Sequence, residues 1–227
     1  MPDARKRPEY FPFIAMLFVS VLLLSNIIAQ KTFVLGPFAF PAAIILFPFA
    51  YIFGDVLTEV YGYARTRLVI WGGLICNLLM AVAFRVAIVL PPGDWPFQRE
   101  YELILGTVPR VVLASMIGYW AGEFANSYVL AKMKIFTRGR YLWTRTIGST
   151  VVGQGVDTAL FVVIAFAGIL PDSVVARMIV SSYLFKVVYE AAATPLTYLI
   201  VGYLKRKDGI DVFDRDTNFN PFCLRAD

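Results

Sequence analysis

The sequence contains no histidine and only two cysteines. The lack of histidine excludes a histidine proton relay, a His-containing metal site and a Ser-His or Cys-His nucleophilic pair. Cys76 lies in an apolar run and Cys223 in a polar stretch, so we expect two unpaired thiols. The sequence also has no Gly-x-x-x-x-Gly-Lys-Ser/Thr loop, so we do not expect it to hydrolyse ATP itself. The residues predict neither a metal nor a cofactor.

Charge is also scarce, and hydrophobic residues take its place. Charged residues make up 16% of the 227 residues and hydrophobic ones 59%, whereas a soluble domain has about 25% and about 45–50%. The mean hydropathy is +0.67. The apolar residues form runs of about 20, long enough to cross a bilayer of about 30 Å, and the gaps are too short for a soluble domain. The sequence therefore predicts an all-α, multi-pass membrane protein.

Six membrane spans are predicted from the apolar runs. They lie at about 11–30, 38–60, 68–90, 109–131, 147–170 and 174–204. The expected organisation is an N-terminal segment 1–10, a six-helix membrane domain 11–204 and a polar tail 205–227 to which the sequence assigns no role. Prolines in or near the second span predict that its first half is kinked or partly unwound; they are Pro37, Pro41 and Pro48. A cleaved signal peptide is the alternative for span one, but the long apolar run without a small-x-small site favours a retained helix.

The basic residues lie mostly on one side of the predicted membrane. They flank the spans on that side and comprise Arg5, Lys6, Arg7, Arg65, Arg67, Lys132, Lys134, Arg138, Arg140, Arg145, Lys205, Arg206 and Lys207. The other side carries Lys31, Arg99, Arg110 and Arg177. The positive-inside rule therefore places both termini in the cytoplasm. We interpret the net charge of +5 as a sign of topology rather than of nucleic-acid binding.

Polar residues inside the spans are the strongest functional signal, because a charge near the bilayer centre costs at least about 2.5–3.5 kcal/mol. They occur three or four residues apart, so each pair shares one helix face. The pairs are Asp55 with Glu59, Glu123 with Asn126, Gln154 with Asp157, and Lys186 with Glu190. At 1.5 Å per residue, their depths are roughly 15–20 Å from the helix ends. Spans two, four, five and six are therefore predicted to enclose one polar chamber.

Carboxylates outnumber cations in this predicted chamber. They are Asp55, Glu59, Glu123, Asp157 and Glu190, against the single deep cation Lys186. Purely structural interhelical contacts would be expected to balance their charges. The excess of acid indicates protonated carboxyls, a proton-coupled step, or a substrate that is rich in donors or positively charged. Glu59 is the expected exception, at the interface near Arg65.

A second pattern concerns helix packing. Gly118 and Gly122 form a Gly-x-x-x-Gly motif in span four. Such a motif predicts a close-packing face for another helix, either of this chain or of a second copy in a homodimer.

Several short motifs together resemble one known family. They are Ser25-Asn26, the stretch from Gly54 to Gly62 with Asp55 and Glu59, Gly122-Glu123-Phe124-Ala125-Asn126, the stretch from Gly148 to Thr158 with Gln154 and Asp157, and Tyr183-Leu184-Phe185-Lys186. Over residues 11–204 the chain resembles the queuosine precursor transporter family. The resemblance implies a bacterial inner-membrane protein with a six-helix fold similar to the substrate-binding component of energy-coupling-factor transporters. It also implies uptake of 7-cyano-7-deazaguanine, 7-aminomethyl-7-deazaguanine or queuine.

The expected site can be assigned on the chemistry of such a base. A carboxylate accepts from the N1–H and amine donors of a guanine-like edge, and an amide or ammonium meets its carbonyl. We expect Glu123 or Asp157 to take the donor edge and Asn126 or Gln154 to read the carbonyl and ring nitrogen. Lys186 would hold the carboxylates in place. Phe124, Tyr183 and Phe185 are candidates to stack on the base, and Asn26, Asp55 and Glu190 complete the predicted site.

Other functions remain open from the sequence. The favoured mechanism is a solitary facilitator or proton-coupled porter; an external ATPase module is the alternative for energy coupling. A purine or vitamin transporter of the same architecture is the nearest rival for the substrate. An intramembrane enzyme could use Asp55 and Glu59 as acid and base, and a scaffold would explain the glycine motif but not the chamber.

Overall fold

The architecture was derived from a computed structural model, in which residues 8–28, 31–35, 38–106, 109–168 and 171–223 are described. These ranges are mainly helical. The elements are α1 (Phe11–Ile28), β1 (Thr32–Leu35), β2 (Phe38–Pro41), a 3-10 helix (Ala42–Ile45), α2 (Phe47–Tyr61), α3 (Tyr63–Val89), α4 (Gln98–Leu105), α5 (Pro109–Phe136), α6 (Leu142–Phe166) and α7 (Asp172–Asp208).

Long apolar helices confirm a multi-pass membrane protein. Among the described residues, four stretches are long and apolar enough to cross a bilayer: Phe11–Ile28, Tyr63–Val89, Leu142–Ala165 and Val175–Asp208. The helices α2 and α5 lie where spans two and four were expected, but α2 has only 15 residues and polar residues interrupt the apolar run of α5. The count of six spans therefore stays a prediction.

The predicted second span is not one helix. It begins with β2, which pairs antiparallel with the preceding β1 in a β-hairpin that places Leu35 opposite Phe38, and the 3-10 helix follows. Only Phe47–Tyr61 is α-helical. Because proline has no backbone N–H and cannot extend a helix, Pro41 and Pro48 lie at the boundaries of these elements, whereas Pro37 lies outside the described residues.

Several predicted loops are instead helical, which moves basic side chains into the bundle. Only Gly62 separates α2 from α3, with a φ of 87° that favours glycine. Arg65 and Arg67 therefore lie in the first turns of α3. Similarly, α5 continues through Lys134 and α6 begins before Arg145. The predicted spans leave out these helical turns because polar side chains at a helix end interrupt the apolar run.

The Gly-x-x-x-Gly motif is used within the chain. A methyl group added at Gly122 would come within 2.6 Å of Asp157 Cβ, and one added at Gly153 within 2.7 Å of Asn126 Cβ. Gly118 likewise faces Asp157. The small residues let α5 and α6 approach closely, so the face that could have served a homodimer is occupied by α6 of the same chain.

The segment after α7, residues 209–223, packs back onto the bundle; we name it the C-terminal strap. The Val212 N–H donates to the Val60 carbonyl at 3.2 Å. The Tyr63 N–H, at the start of α3, donates to both carboxylate oxygens of Asp214 at 3.0 and 3.1 Å. Arg67 donates to the carbonyls of Asn218 and Asn220. The polar tail, to which the sequence assigned no role, thus secures the corner between α2 and α3.

Aromatic side chains continue this attachment. Phe219 lies against Tyr63 and Tyr128, with ring centroids 5.0 and 5.2 Å away. Phe222 lies against Trp71 and Trp120, and the Trp71 indole donates to the Pro221 carbonyl at 2.8 Å. The strap therefore also joins α3 to α5.

Candidate functional site

A cavity of about 150 Å³ lies in the half of the bundle next to the hairpin. Its walls come from the end of α1, the 3-10 helix, the start of α2, and parts of α3, α5 and α6. Its lining residues are Leu22, Ser25, Asn26, Ala43, Ala50, Tyr51, Asn77, Ser115, Met116, Tyr119, Gly122, Glu123, Gln154 and Asp157. Most of these residues carry hydroxyl, amide or carboxyl side chains, so several polar groups converge within partly apolar walls, as in small-molecule sites.

Four of the predicted site residues meet at this cavity. They are Asn26 of α1, Glu123 of α5, and Gln154 and Asp157 of α6. Two of them present buried acceptors: Glu123 Oε2 and Gln154 Oε1 have no hydrogen-bond partner in the part of the chain that the structure describes. A buried acceptor without a partner costs about 1–3 kcal/mol. The arrangement is suited to a ligand that brings N–H donors.

The sequence analysis missed several residues of the cavity wall, among them Asn77 and two tyrosines. Asn77 accepts a hydrogen bond from the Asn26 amide at 2.6 Å and donates to the Gly73 carbonyl. Tyr51 and Tyr119 also line the cavity. A signal for each was present, because Asn77 interrupts an apolar run and the two tyrosines precede Asp55 and Glu123 by one helical turn.

Asp157 and Lys186 form an ion pair at one side of the site. Lys186 Nζ lies 2.6 Å from Asp157 Oδ2 and 3.2 Å from Thr158 Oγ1. Lys186 was expected to hold the carboxylates of the predicted chamber, and among the described residues its ion pair is with Asp157. Among the described residues that line this cavity, none comes from α7, whereas α1 and α3 each contribute. The enclosure predicted for spans two, four, five and six stays a prediction.

A second polar layer lies between the cavity and the strap. Asp55, Asn126 and Glu190 are 0, 1 and 2% exposed and do not line the cavity. The Asn126 amide donates to Asp55 Oδ1 at 3.0 Å. One turn further along α2, the Thr58 hydroxyl donates to Ser127 Oγ and so also joins α2 to α5. The structure thus divides the predicted chamber into a cavity and a closed layer.

Glu59 belongs to neither of these layers. Its carboxylate accepts two hydrogen bonds from the Arg145 guanidinium at 2.6 and 2.7 Å and one from Lys205 at 2.5 Å, and it lies 3.6 Å from Lys134. Arg145 and Lys134 are each only 1% exposed. Lys186 is therefore not the single deep cation, and the main partner of Glu59 is Arg145 rather than Arg65. With its carboxylate held by three cations, Glu59 is poorly placed to share a reacting centre with Asp55.

The predicted stacking aromatics do not line the cavity. Phe124 packs with Trp71 and Trp120, at ring distances of 6.1 and 5.3 Å. Phe185 is exposed and lies beside Tyr189. Tyr183 is half-buried near Gly155 of α6. The aromatic side chains next to Glu123 in the cavity wall are instead Tyr51 and Tyr119.

Comparisons with known proteins identify relatives of this chain. A family model described as "Putative vitamin uptake transporter" matches residues 41–200. A "Probable queuosine precursor transporter" of Bacillus subtilis (strain 168) is 34% identical over 146 residues, which is 63% of this chain and 64% of that protein. A "Queuosine precursor transporter" of Escherichia coli (strain K12) is 25% identical over 120 residues, which is 53% of this chain and 52% of that protein. Both matches thus span less than two thirds of the relative. No solved structure matches the chain.

Proposed function

This chain belongs to the vitamin-uptake transporter family whose model covers residues 41–200, and from this premise we propose that it imports queuosine precursors through the cavity beside Glu123. The candidate substrates are 7-cyano-7-deazaguanine, 7-aminomethyl-7-deazaguanine and queuine. The names of the two relatives support this substrate class. The observation that carries the proposal is the Glu123 carboxylate in the cavity wall, with a buried oxygen that lacks a partner among the described residues.

The proposal assigns roles from hydrogen-bonding chemistry. A carboxylate at Glu123 accepts the ring N1–H and the exocyclic amine side by side, as guanine edges require. The Gln154 amide can meet both the donors and the carbonyl of the base. Tyr51 and Tyr119 provide aromatic surface, and stacking is worth about 1–3 kcal/mol per base. Because a cavity of about 150 Å³ holds a single benzene ring, we expect side chains such as Met116 to move when the bicyclic base enters.

Topology and energy coupling form part of the same proposal. We place the protein in the bacterial inner membrane with the strap end in the cytoplasm, since Lys134, Arg145, Arg206 and Lys207 gather there. Six helices, α1, α2, α3, α5, α6 and α7, would cross the membrane, although α2 is short. Their fold would be that of the substrate-binding component of energy-coupling-factor transporters. The protein would act as a solitary porter rather than with an external ATPase.

Calorimetric binding to the detergent-purified protein tests the substrate and the site. We expect the 7-substituted deazaguanines and queuine to bind and guanine to compete poorly. Glu123→Gln should weaken binding by about 10–100-fold, because it replaces one acceptor of a charge-assisted pair worth about 1.5–3 kcal/mol.

Glu102→Gln is the matched control, because Glu102 is an exposed carboxylate on α4 that accepts from Gln98 at 2.7 Å. This substitution should leave the affinity unchanged. If a stable protein binds none of the precursors but binds riboflavin or thiamine, the substrate class is wrong. If precursors bind equally well to Glu123→Gln, the assignment of the site is wrong.

A further inference from the structure

The closed layer beneath the cavity brings together carboxylates from two helices. Asp55 lies on α2 and Glu190 on α7, and α2 packs directly against α7 in the core. Asn126 of α5 completes the layer through its hydrogen bond to Asp55. All three side chains are at least 98% buried.

Three oxygens in this layer lack partners. Asp55 Oδ2, Asn126 Oδ1 and Glu190 Oε1 are each buried and accept no hydrogen bond from the residues described here. Each is an acceptor, so the layer as it stands has a deficit of donors. Two carboxylates that share a buried site do not both ionise readily, and one proton between them relieves the repulsion. A proton also supplies the missing donor.

The charged groups around the layer do not neutralise it. Glu123 on α5, whose Oε2 lies beside Gly54 of α2, adds a further carboxylate, and Tyr51 precedes Asp55 by one turn of α2. Asp157 on α6 is paired with Lys186 on α7. Glu59, one turn below Asp55, is neutralised by Arg145, Lys134 and Lys205. Within the described ranges, neither Asp55 nor Glu190 forms an ion pair.

We propose that Asp55 and Glu190 form a proton-binding site, oriented by Asn126, that couples substrate import to proton entry. This inference rests on the proposed function. The sequence analysis placed these residues in one site, whereas here Glu123 and Gln154 bind the substrate and Asp55 and Glu190 bind the proton. One proton enters from the outer side with each precursor and leaves to the inside. The carboxylate pair then returns without it.

Proteoliposomes loaded with a pH-sensitive dye test the coupling. With the wild-type protein, addition of precursor should acidify the lumen, and an inside-alkaline gradient should raise precursor accumulation several-fold. Asp55→Asn and Glu190→Gln should lose both effects but still exchange labelled for unlabelled precursor. Precursor uptake without luminal acidification, or accumulation driven by a sodium gradient instead, would overturn the proposal.

Infrared spectroscopy tests the proton site without any substrate. At neutral pH the wild-type protein should show the C=O stretch of a buried protonated carboxyl, which either substitution should remove and Glu102→Gln should leave in place. Thermal unfolding of each variant establishes that it folds. Absence of the band in folded wild-type protein would overturn the proton site even if precursors bind. A normal band together with no precursor binding would instead overturn the proposed function.

Discussion

Glu59 shows how one buried carboxylate can organise an end of a membrane bundle. It connects α2 to Arg145 on α6, Lys134 on α5 and Lys205 on α7. The strap contributes a second carboxylate, Asp211, which pairs with Lys134 and Lys205. A buried ion pair contributes little net stability, but removal of one partner leaves an uncompensated charge that costs about 3–5 kcal/mol.

Removal of the Glu59 charge is therefore expected to destabilise the fold. Glu59→Gln should lower the free energy of unfolding by about 3–5 kcal/mol, because Arg145 and Lys134 stay buried with too little negative charge. Arg145→Gln should cost less, because Glu59 keeps both lysines. Thermal or denaturant unfolding in detergent measures the effect, with Glu102→Gln as the control. Equal stability of Glu59→Gln and the wild type would show that the cluster is not a structural centre.

For individual residues, the sequence predicted which polar side chains lie in the bundle better than it predicted which side chains they contact. The rarity of polar residues in apolar runs was enough to find Glu123, Gln154 and Asp157, and the family resemblance added Asn26; the structure brings all four to one cavity. The role of Arg145 was missed because a basic residue near a predicted loop looks the same whether it turns to solvent or into the bundle. That choice depends on Glu59, which lies 86 residues away along the chain.

The sequence predicted no structure or role for the C-terminal strap, yet the strap makes many contacts with the bundle. Its Asp214 carboxylate satisfies a backbone N–H at the start of α3 that has no partner within the helix. Burial acts to raise the pKa of Asp211, but hydrogen bonds from Lys134 and Lys205 outweigh it and hold the pKa below its ordinary value. The stability that Asp211 contributes is thus present above the ordinary Asp pKa and is lost as the pH falls through the lowered one.

The attachment and the side of the strap can be tested through Cys223. In a Cys76→Ser background, a membrane-impermeant maleimide should label Cys223 slowly in inverted vesicles and not at all in intact cells. Asp214→Ala removes the cap of α3, worth about 0.5–2 kcal/mol, so it should speed labelling about twofold to thirtyfold if the strap opens as a unit.

Asp214→Asn is the matched control, because it keeps an acceptor and should have a smaller effect. Labelling in intact cells would contradict the cytoplasmic placement of the strap. Equal labelling rates for the wild type and Asp214→Ala would contradict an Asp214-dependent attachment.

Helix positions followed from the apolar runs, whereas the strap and the corner at Gly62 did not. A polar segment such as Asp-Arg-Asp-Thr-Asn has no periodicity, and its docking depends on distant contacts, such as those of Phe219 with Tyr63 and Phe222 with Trp71. The sequence predicted only that the first half of span two is kinked or unwound, and it did not predict the hairpin. Prolines indicate where a helix cannot continue, but not which structure takes its place.

The whole molecule has two different ends. The hairpin end contains the cavity with Glu123, and the other end is closed by the Glu59 ion cluster and the strap. Between them lies the buried layer of Asp55, Asn126 and Glu190. In the account proposed here, substrate enters from the hairpin end and leaves past the layer when the strap end opens.

Transport by the purified protein alone tests this account most directly. Proteoliposomes that contain only this chain should take up a labelled 7-substituted deazaguanine. Glu123→Gln should reduce the initial rate at least tenfold, and Glu102→Gln should leave it unchanged. If the protein binds the precursor normally but takes it up only when an ATPase module is added, the solitary porter is contradicted. If Glu123→Gln takes up the precursor as fast as the wild type, the assignment of the site is contradicted.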